Sequence, residues 1–216
     1  NALESMFRFL EEHDDVGALG PKILNSDGTI QRTGVTFPSI WNILVESLFL
    51  DSLFPRSKKF GGHRRVYEDP NQVYEVDYLQ GSCLLVRRRA LEDVGFFDEH
   101  YFMFFEETDL CLRMSMQGWK VMYVPEAAVT HFGGSGLGYY DGRRIVQYHS
   151  SFLLFIKKHY GDSRTLLLRA LLVFRSMIRS ILLVSAALLL TRRRRELLDR
   201  GKGYLRSVAL ILRGQR

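Results

Sequence analysis

The chain has 216 residues, 46% of them hydrophobic and 25% charged, with a formal net charge of +6. That is an ordinary globular balance, long enough for one sizeable core. Two cysteines, Cys83 and Cys111, exclude a disulfide framework and a cysteine-ligated metal site, and they predict reduced thiols in a cytosolic compartment.

No signal peptide opens the chain, and Ala2–Glu12 already reads as a helix, with Leu3, Met6, Phe7 and Leu10 on one face. We therefore expect an upstream part. Val16–Leu24 is predicted as a buried strand interrupted at Gly20-Pro21. Asn25-Ser26-Asp27-Gly28 is a turn signal, and Thr29–Gly34 returns as a short strand. Trp41–Leu50 reads as an apolar helix or lid. The basic run Pro55–Arg65 reads either as a solvated connection or as a flap closing on an anionic acceptor or phosphates. Tyr74–Arg88 reads as strand, tight Gly turn, strand, and Arg89–Val94 as a short helix stopped by Gly95.

Glu106–Gln117 is predicted as a helix whose first turn carries Glu106, Glu107 and Asp109. Lys120–Val124 and Ala127–His131 are expected as two strands separated by Pro125. The Gly-rich turn 133–136 follows, and Arg143–Tyr160 is an amphipathic helix. Strands alternating with helices predict an α/β sandwich with a mixed sheet.

The tail differs in composition. Ser163–Arg216 holds 13 Lys and Arg against two Asp and Glu, leaving the rest of the chain net acidic. Within Thr165–Thr191, Arg169, Arg175, Arg179, Ser176 and Ser180 fall in an arc of roughly 140° on an otherwise apolar helix. Arg192–Arg195 follows, and Gly201–Arg216 repeats the pattern. A wide apolar face with a basic stripe predicts a helix lying in the interface of an anionic membrane. Packing on the parent domain or in a dimer, and a true membrane span, are the alternatives. Nucleic-acid binding is disfavoured, because the arginines alternate with Leu and Ile.

Clustered carboxylates repel one another, so one of Glu106, Glu107 and Asp109 can have its pKa raised toward the working range of a general base. The competing reading is structural: acids in a first helical turn favour the macrodipole.

The stretch from Val76 to Gly136 resembles the C-terminal half of family 2 glycosyltransferases, which are inverting GT-A-fold enzymes, in their bacterial rhamnosyltransferase-like branch. The matching pieces are VDYLQGSCLLVRR, ALEDVGFFDEHYFMFFEETDLCLRMSMQGWKVMYVPEAAVTHFGGSG and, upstream, VGALGPKILNSDGTIQRTG. The resemblance extends over Ala2–Gly161. It implies a partial GT-A-type mixed sheet flanked by helices over 1–161, the acceptor-side half, with basic amphipathic membrane-associating helices over 162–216.

By resemblance, Glu107 is the base that deprotonates the acceptor hydroxyl and Glu106 orients the site. The family usually has Asp where Glu107 stands. Asp109 and Arg113 would support them, or form a structural ion pair. Asp77, Gly81 and Ser82 would line the acceptor pocket. His131 would help ligate a divalent metal, Mn²⁺ or Mg²⁺, and Gly134 and Ser135 would approach phosphate. The implied partners are a nucleotide-diphospho-sugar, with rhamnose on dTDP as the branch expectation, a lipid-linked or polysaccharide acceptor, and an anionic membrane surface on the cytoplasmic face of the bacterial inner membrane. A homo-oligomer stays open and nucleic acid is not expected. The family's Asp-x-Asp metal motif occurs nowhere in this sequence. The nucleotide-binding half is therefore expected to be missing and the fragment inactive alone. The rival class is a non-catalytic membrane-associated interaction module.

Overall fold

The structure, a computed structural model, describes residues 1–132 and 141–213. The chain divides into two compact units. Unit one comprises Asn1–Pro38, Asp51–His100 and Glu106–Gly133; unit two comprises Ser39–Leu50, Tyr101–Phe105 and Gly134–Arg216.

In unit one, α1 (Ala2–Glu12) leads into β1 (Val16–Leu24), the centre of a mixed sheet. β1 pairs antiparallel with β2 (Ile30–Gln31) on one side. On the other it runs parallel to the last strand, β7 (Lys120–Thr130), which pairs antiparallel with β4 (Tyr74–Val76). β6 (Leu85–Val86) also pairs with β1. A separate two-stranded ribbon joins β3 (Gly34–Val35) to β5 (Tyr78–Leu79).

Side-chain alternation along β1 and β7 feeds two cores. Leu19, Val124 and Ala127 bury Met6 and Leu10 of α1. Ala18, Val121 and Tyr123 pack with Ala90 of α4 (Arg88–Val94) and with Leu110, Cys111 and Met114 of α5 (Glu106–Met116). Burial pushes the Cys111 thiol up to about 12, so it is an inert apolar filler there. Both cysteines are free thiols.

The expected break at Pro125 is absent: Lys120–Thr130 is one strand. Proline cannot donate to the ladder, and the pairing absorbs it as an irregularity: Pro21 lies opposite Val124, but Lys22 lies opposite Ala128. Pro21 falls at the same slip, which also explains why β1 continues through Gly20-Pro21. Arg87 closes the other end of the sheet. Its guanidinium donates to the carbonyls of Val16 and His13, at 2.8 and 2.9 Å, and to that of Leu10.

Unit two is helical. It contains α2 (Ile40–Ser47), α6 (Gly142–His159), α7 (Gly161–Leu189) and α8 (Arg194–Arg213); a short α3 (Leu50–Leu53) follows α2. Ser39 caps α2 by accepting from the Asn42 amide at 3.0 Å, and Asp141 caps α6 by accepting from the Arg144 amide at 2.8 Å. α6 and α8 cross at two glycines: a Cβ on Gly203 would lie 2.5 Å from Gly142 Cα. The Gly142 amide donates to Asp199 Oδ2 at 2.8 Å in the same crossing.

The arginine stripe of α7 points inward, opposite to the expectation of an outward basic face. Arg175 is 7% exposed and pairs with Glu46 of α2 at 2.6 Å. Arg169 donates to the Ile211 carbonyl at the end of α8. Arg179 lies over the Phe49 ring, 5.6 Å from its centroid. Ser180 donates to the Gly201 carbonyl at 2.9 Å. The neighbouring His149 is fully buried with Nδ1 2.8 Å from the Ile145 carbonyl, and burial, aided by Arg175, drops its pKa to about 3, so it is a neutral donor. The reversal has a tertiary cause: α2, α6 and α8 offer these polar groups partners that offset much of the cost of burying them, while Arg175 Nε and Arg179 Nε are left without one among the described residues.

The glycine crossing is testable. Gly203→Ala forces a methyl against backbone that cannot yield, so it should cost about 1–3 kcal/mol and lower the melting temperature by several degrees in a circular-dichroism melt.

Candidate active site

The site is built on the first turn of α5. The chain enters it through Phe104 and Phe105, both left-handed, with φ of 68° and 70°. That region costs an aromatic residue on the order of 1–2 kcal/mol each. Phe105 is held there by burial: its ring lies 5.2–5.4 Å from those of Phe152, Tyr148 and Phe155. The reversal lets α5 begin abruptly at Glu106, with Glu106, Glu107 and Asp109 all in its first turn.

The three acids are then separated by their surroundings. Asp109 is fully buried and accepts from Arg113 Nε at 2.8 Å. The rest of the Arg113 fork is spent on the carbonyls that end α4: Nη1 donates to Val94 and Gly95 at 2.5 and 3.1 Å, and Nη2 donates to Phe96 at 2.8 Å. This pair orients α5 against the end of α4, which places the two supporting residues in a positioning tie.

Glu107 lies beside the turn between β5 and β6. Gly81 faces the Glu107 side chain: a Cβ built on it would lie 3.9 Å away, in ordinary van der Waals contact. Glu107 Oε2, Glu106 Oε2 and Ser82 Oγ are buried oxygens with no hydrogen-bond partner among the described residues. Burial, then the adjacent Glu106 charge, lifts Glu107 from its ordinary 4.5 to about 7. The backbone amides of Glu107, Gly81 and Thr108 pull the other way but do not cancel these effects. A largely buried carboxylate with one unengaged oxygen and a pKa near neutrality can take a proton from a hydroxyl.

Asp77 and His131 also belong to unit one. Asp77 Oδ2 accepts from the Phe37 amide at 2.6 Å, a tie from the residue before β5 to the chain just after β3. His131 follows β7, and its amide donates to the Leu24 carbonyl at 2.9 Å. Gly134 and Ser135 lie outside the described residues.

The imidazole of His131 is held by a side chain that the sequence pattern does not single out. Gln31 Nε2 donates to Asn25 Oδ1 at 2.6 Å and to the His131 carbonyl at 3.0 Å. Its Oε1 is thereby turned toward His131 Nδ1, 3.1 Å away. An amide oxygen only accepts, so Nδ1 carries the proton and Nε2 keeps its lone pair. Asn25 is fixed in turn by Thr29 Oγ1 at 2.7 Å, and that hydroxyl donates to Asp27 Oδ1 at 2.6 Å. This is how a metal-binding histidine is commonly oriented, with its remote nitrogen engaged. The donor set goes no further: among the described residues no three His, Cys, Asp or Glu groups converge as a metal site needs. These residues alone do not fit a divalent ion. Gln31 and His131 are about 100 positions apart, so no local spacing rule links them.

Comparison with known proteins gives the site its context. Residues 71–149, which include β4 through α5 and β7, match the family model described as "Glycosyltransferase like family 2". Over residues 71–149 the chain is therefore similar to family 2 glycosyltransferases. The N-acetylglucosaminyl-diphospho-decaprenol L-rhamnosyltransferase of Mycobacterium tuberculosis (strain ATCC 25618 / H37Rv) is 34% identical over 186 residues, 86% of this chain and 60% of that protein. Rhamnosyltransferase WbbL of Escherichia coli (strain K12) is 44% identical over 57 residues, 26% of this chain and 22% of that protein. The low-salt glycan biosynthesis hexosyltransferase Agl10 of Haloferax volcanii is 37% identical over 104 residues, 48% of this chain and 29% of that protein. The chain thus spans about 60% of the mycobacterial relative. The mixed sheet flanked by helices agrees with an α/β GT-A-like fragment.

The raised Glu107 has a stability signature. Its folded pKa lies above the unfolded value, so the folded state binds the extra proton, and stability falls as pH rises from about 4.5 to about 7. Glu107→Gln keeps the shape without the charge. It should unfold at a temperature close to that of the parent at pH 4.5. At pH 8 it should be more stable than the parent by up to about 3 kcal/mol. Parallel melts across that range measure the difference.

Proposed function

We propose that this chain is the acceptor-side part of a family 2 glycosyltransferase that moves a sugar from a nucleotide-diphospho-sugar to a lipid-linked or polysaccharide acceptor with inversion. Glu107 is the general base: its unengaged Oε2 takes the acceptor hydroxyl's proton as the new glycosidic bond forms and the diphosphate leaves. Glu106 keeps that proton affinity high through its charge. Asp109 and Arg113 fix the helix start, and Gly81 and Ser82 border the space into which the acceptor comes. The observation that carries this reading is the unpartnered, buried Glu107 oxygen on a carboxylate whose pKa is about 7, inside the family-like segment.

Rhamnose as the donor sugar is supported by the names of two relatives, and a lipid-linked acceptor by the printed name of the mycobacterial one. We place the role in the cell envelope, on the cytoplasmic face of a bacterial inner membrane; the diphospho-decaprenol in the mycobacterial relative's name supports a membrane-linked substrate. In this proposal, residues 1–161 carry the acceptor half and 162–216 the membrane-associating helices. The nucleotide is held by residues beyond this sequence, so the piece alone is inactive. Mn²⁺ or Mg²⁺ at the diphosphate would find no three-group cage among the described residues.

The test is transfer by the full-length protein. Glu107→Gln should reduce kcat by 10²- to 10⁴-fold, the range for loss of a general base, with KM for the donor little changed. The base works deprotonated, so log kcat/KM of the parent should rise with unit slope below about pH 7 and level above it. Unchanged transfer by the Gln variant would return the acidic turn to a capping role and favour the interaction-module reading.

A further inference from the structure

Unit two carries a helix whose polarity is reversed relative to a water-facing one. Arg175, Ser176 and Ser180 of α7 are buried, while Leu166, Phe174, Met177, Ile181 and Leu188 are exposed. Their spacing makes one stripe along the helix. No exposed position from Leu166 to Leu190 is charged. Cations bracket the stripe instead, with exposed Arg164 before it and Arg192–Arg195 after it. At that second end a cleft of about 630 Å³ is lined by Leu189, Leu190, Arg192 and Arg193. Apolar and guanidinium walls in one concavity suit an amphiphile with a phosphate head group.

We infer that the α7–α8 hairpin docks on a bilayer containing anionic phospholipid. The outward stripe of α7 enters the acyl boundary, and Arg192 and Arg193 hold lipid phosphate at the cleft. This deepens the membrane partner named above and rests on the burial pattern of unit two, not on sugar transfer.

Two rival occupants fit less well. By length and composition α7 could cross a bilayer. However, exposed Lys202, Arg206 and Arg213 on the adjoining α8 suit head groups and not hydrocarbon. A second copy packed antiparallel on the stripe would bring Arg164 against Arg192–Arg195, a like-charge contact at both ends.

Flotation of the full chain with phosphatidylcholine vesicles, with and without 30% phosphatidylglycerol as a roughly physiological anionic load, tests the inference and needs no sugar donor. The chain should float with the anionic vesicles. The triple variant Phe174→Ser, Ile181→Ser, Leu188→Ser should lose about tenfold in bound fraction with unchanged helical circular dichroism, and Arg192→Gln with Arg193→Gln several-fold on the anionic vesicles alone. An environment-sensitive dye on Ser185→Cys, in the otherwise parental chain, should shift to the blue when vesicles are added. An unshifted dye, parental flotation of the triple variant, or a vesicle-insensitive disulfide dimer through Phe174→Cys would overturn it. None of these outcomes bears on Glu107, so the transferase reading stands or falls separately.

Discussion

The parallel pairing of β1 with β7 is the constraint on which unit one depends. Parallel strands cannot be joined by a tight turn, and this pair closes a loop of about 100 residues. Within that loop lie the ribbon, α4, α5 and the acidic turn. The pairing offers one set of side chains to α1 and the other to α4 and α5. It also carries His131, whose amide extends the β7 ladder to the Leu24 carbonyl. The two prolines meet at one slip in this pairing, so the sheet contains its defects in a single place.

Orientation of the candidate base follows from that frame by short steps. β5 and β6 present Gly81 to α5, and Arg113 fastens the same helix to the carbonyls of Val94, Gly95 and Phe96 at the end of α4. The left-handed Phe104 and Phe105 allow a helix start without a preceding capping turn. The outcome is that desolvation and the neighbouring Glu106 charge both favour holding a proton on Glu107. A solvated pair at a helix N-terminus would be ionised by the macrodipole instead. The difference lies in burial, which the spacing of the acids does not encode.

The elements with strong periodicity were legible from the residues. α1 runs over the predicted Ala2–Glu12, and α5 and α6 begin within one residue of expectation. The acidic turn and the family-like stretch were legible as motifs. What failed depended on long-range partners. Pro125 reads locally as a strand break, but its cost is small where β7 itself bulges, since residues 125–127 have no counterpart between Pro21 and Lys22 of β1. The α7 wheel separates polar from apolar residues correctly, yet a wheel has no inside. Glu46, which takes Arg175 inward, lies 129 positions away. The hold of Gln31 on His131 is of the same kind, a contact made by sheet register and by no local pattern.

The interleaving of the two units along the chain sets how the protein can be dissected. Ser39–Leu50 and Tyr101–Phe105 belong to the helical unit although they fall within the sequence of the sheet-bearing one. A polypeptide ending at residue 161 would look complete by composition, yet it would keep Glu46 and discard the Arg175 that neutralises it. An uncompensated carboxylate would be left where α7 had covered it, and Ile43 and Val45 would be bared to water in the same stroke. Expression boundaries drawn from charge asymmetry would therefore yield a sticky, partly unfolded product, whereas internal deletions in surface turns such as that around Gly28 would leave both cores whole.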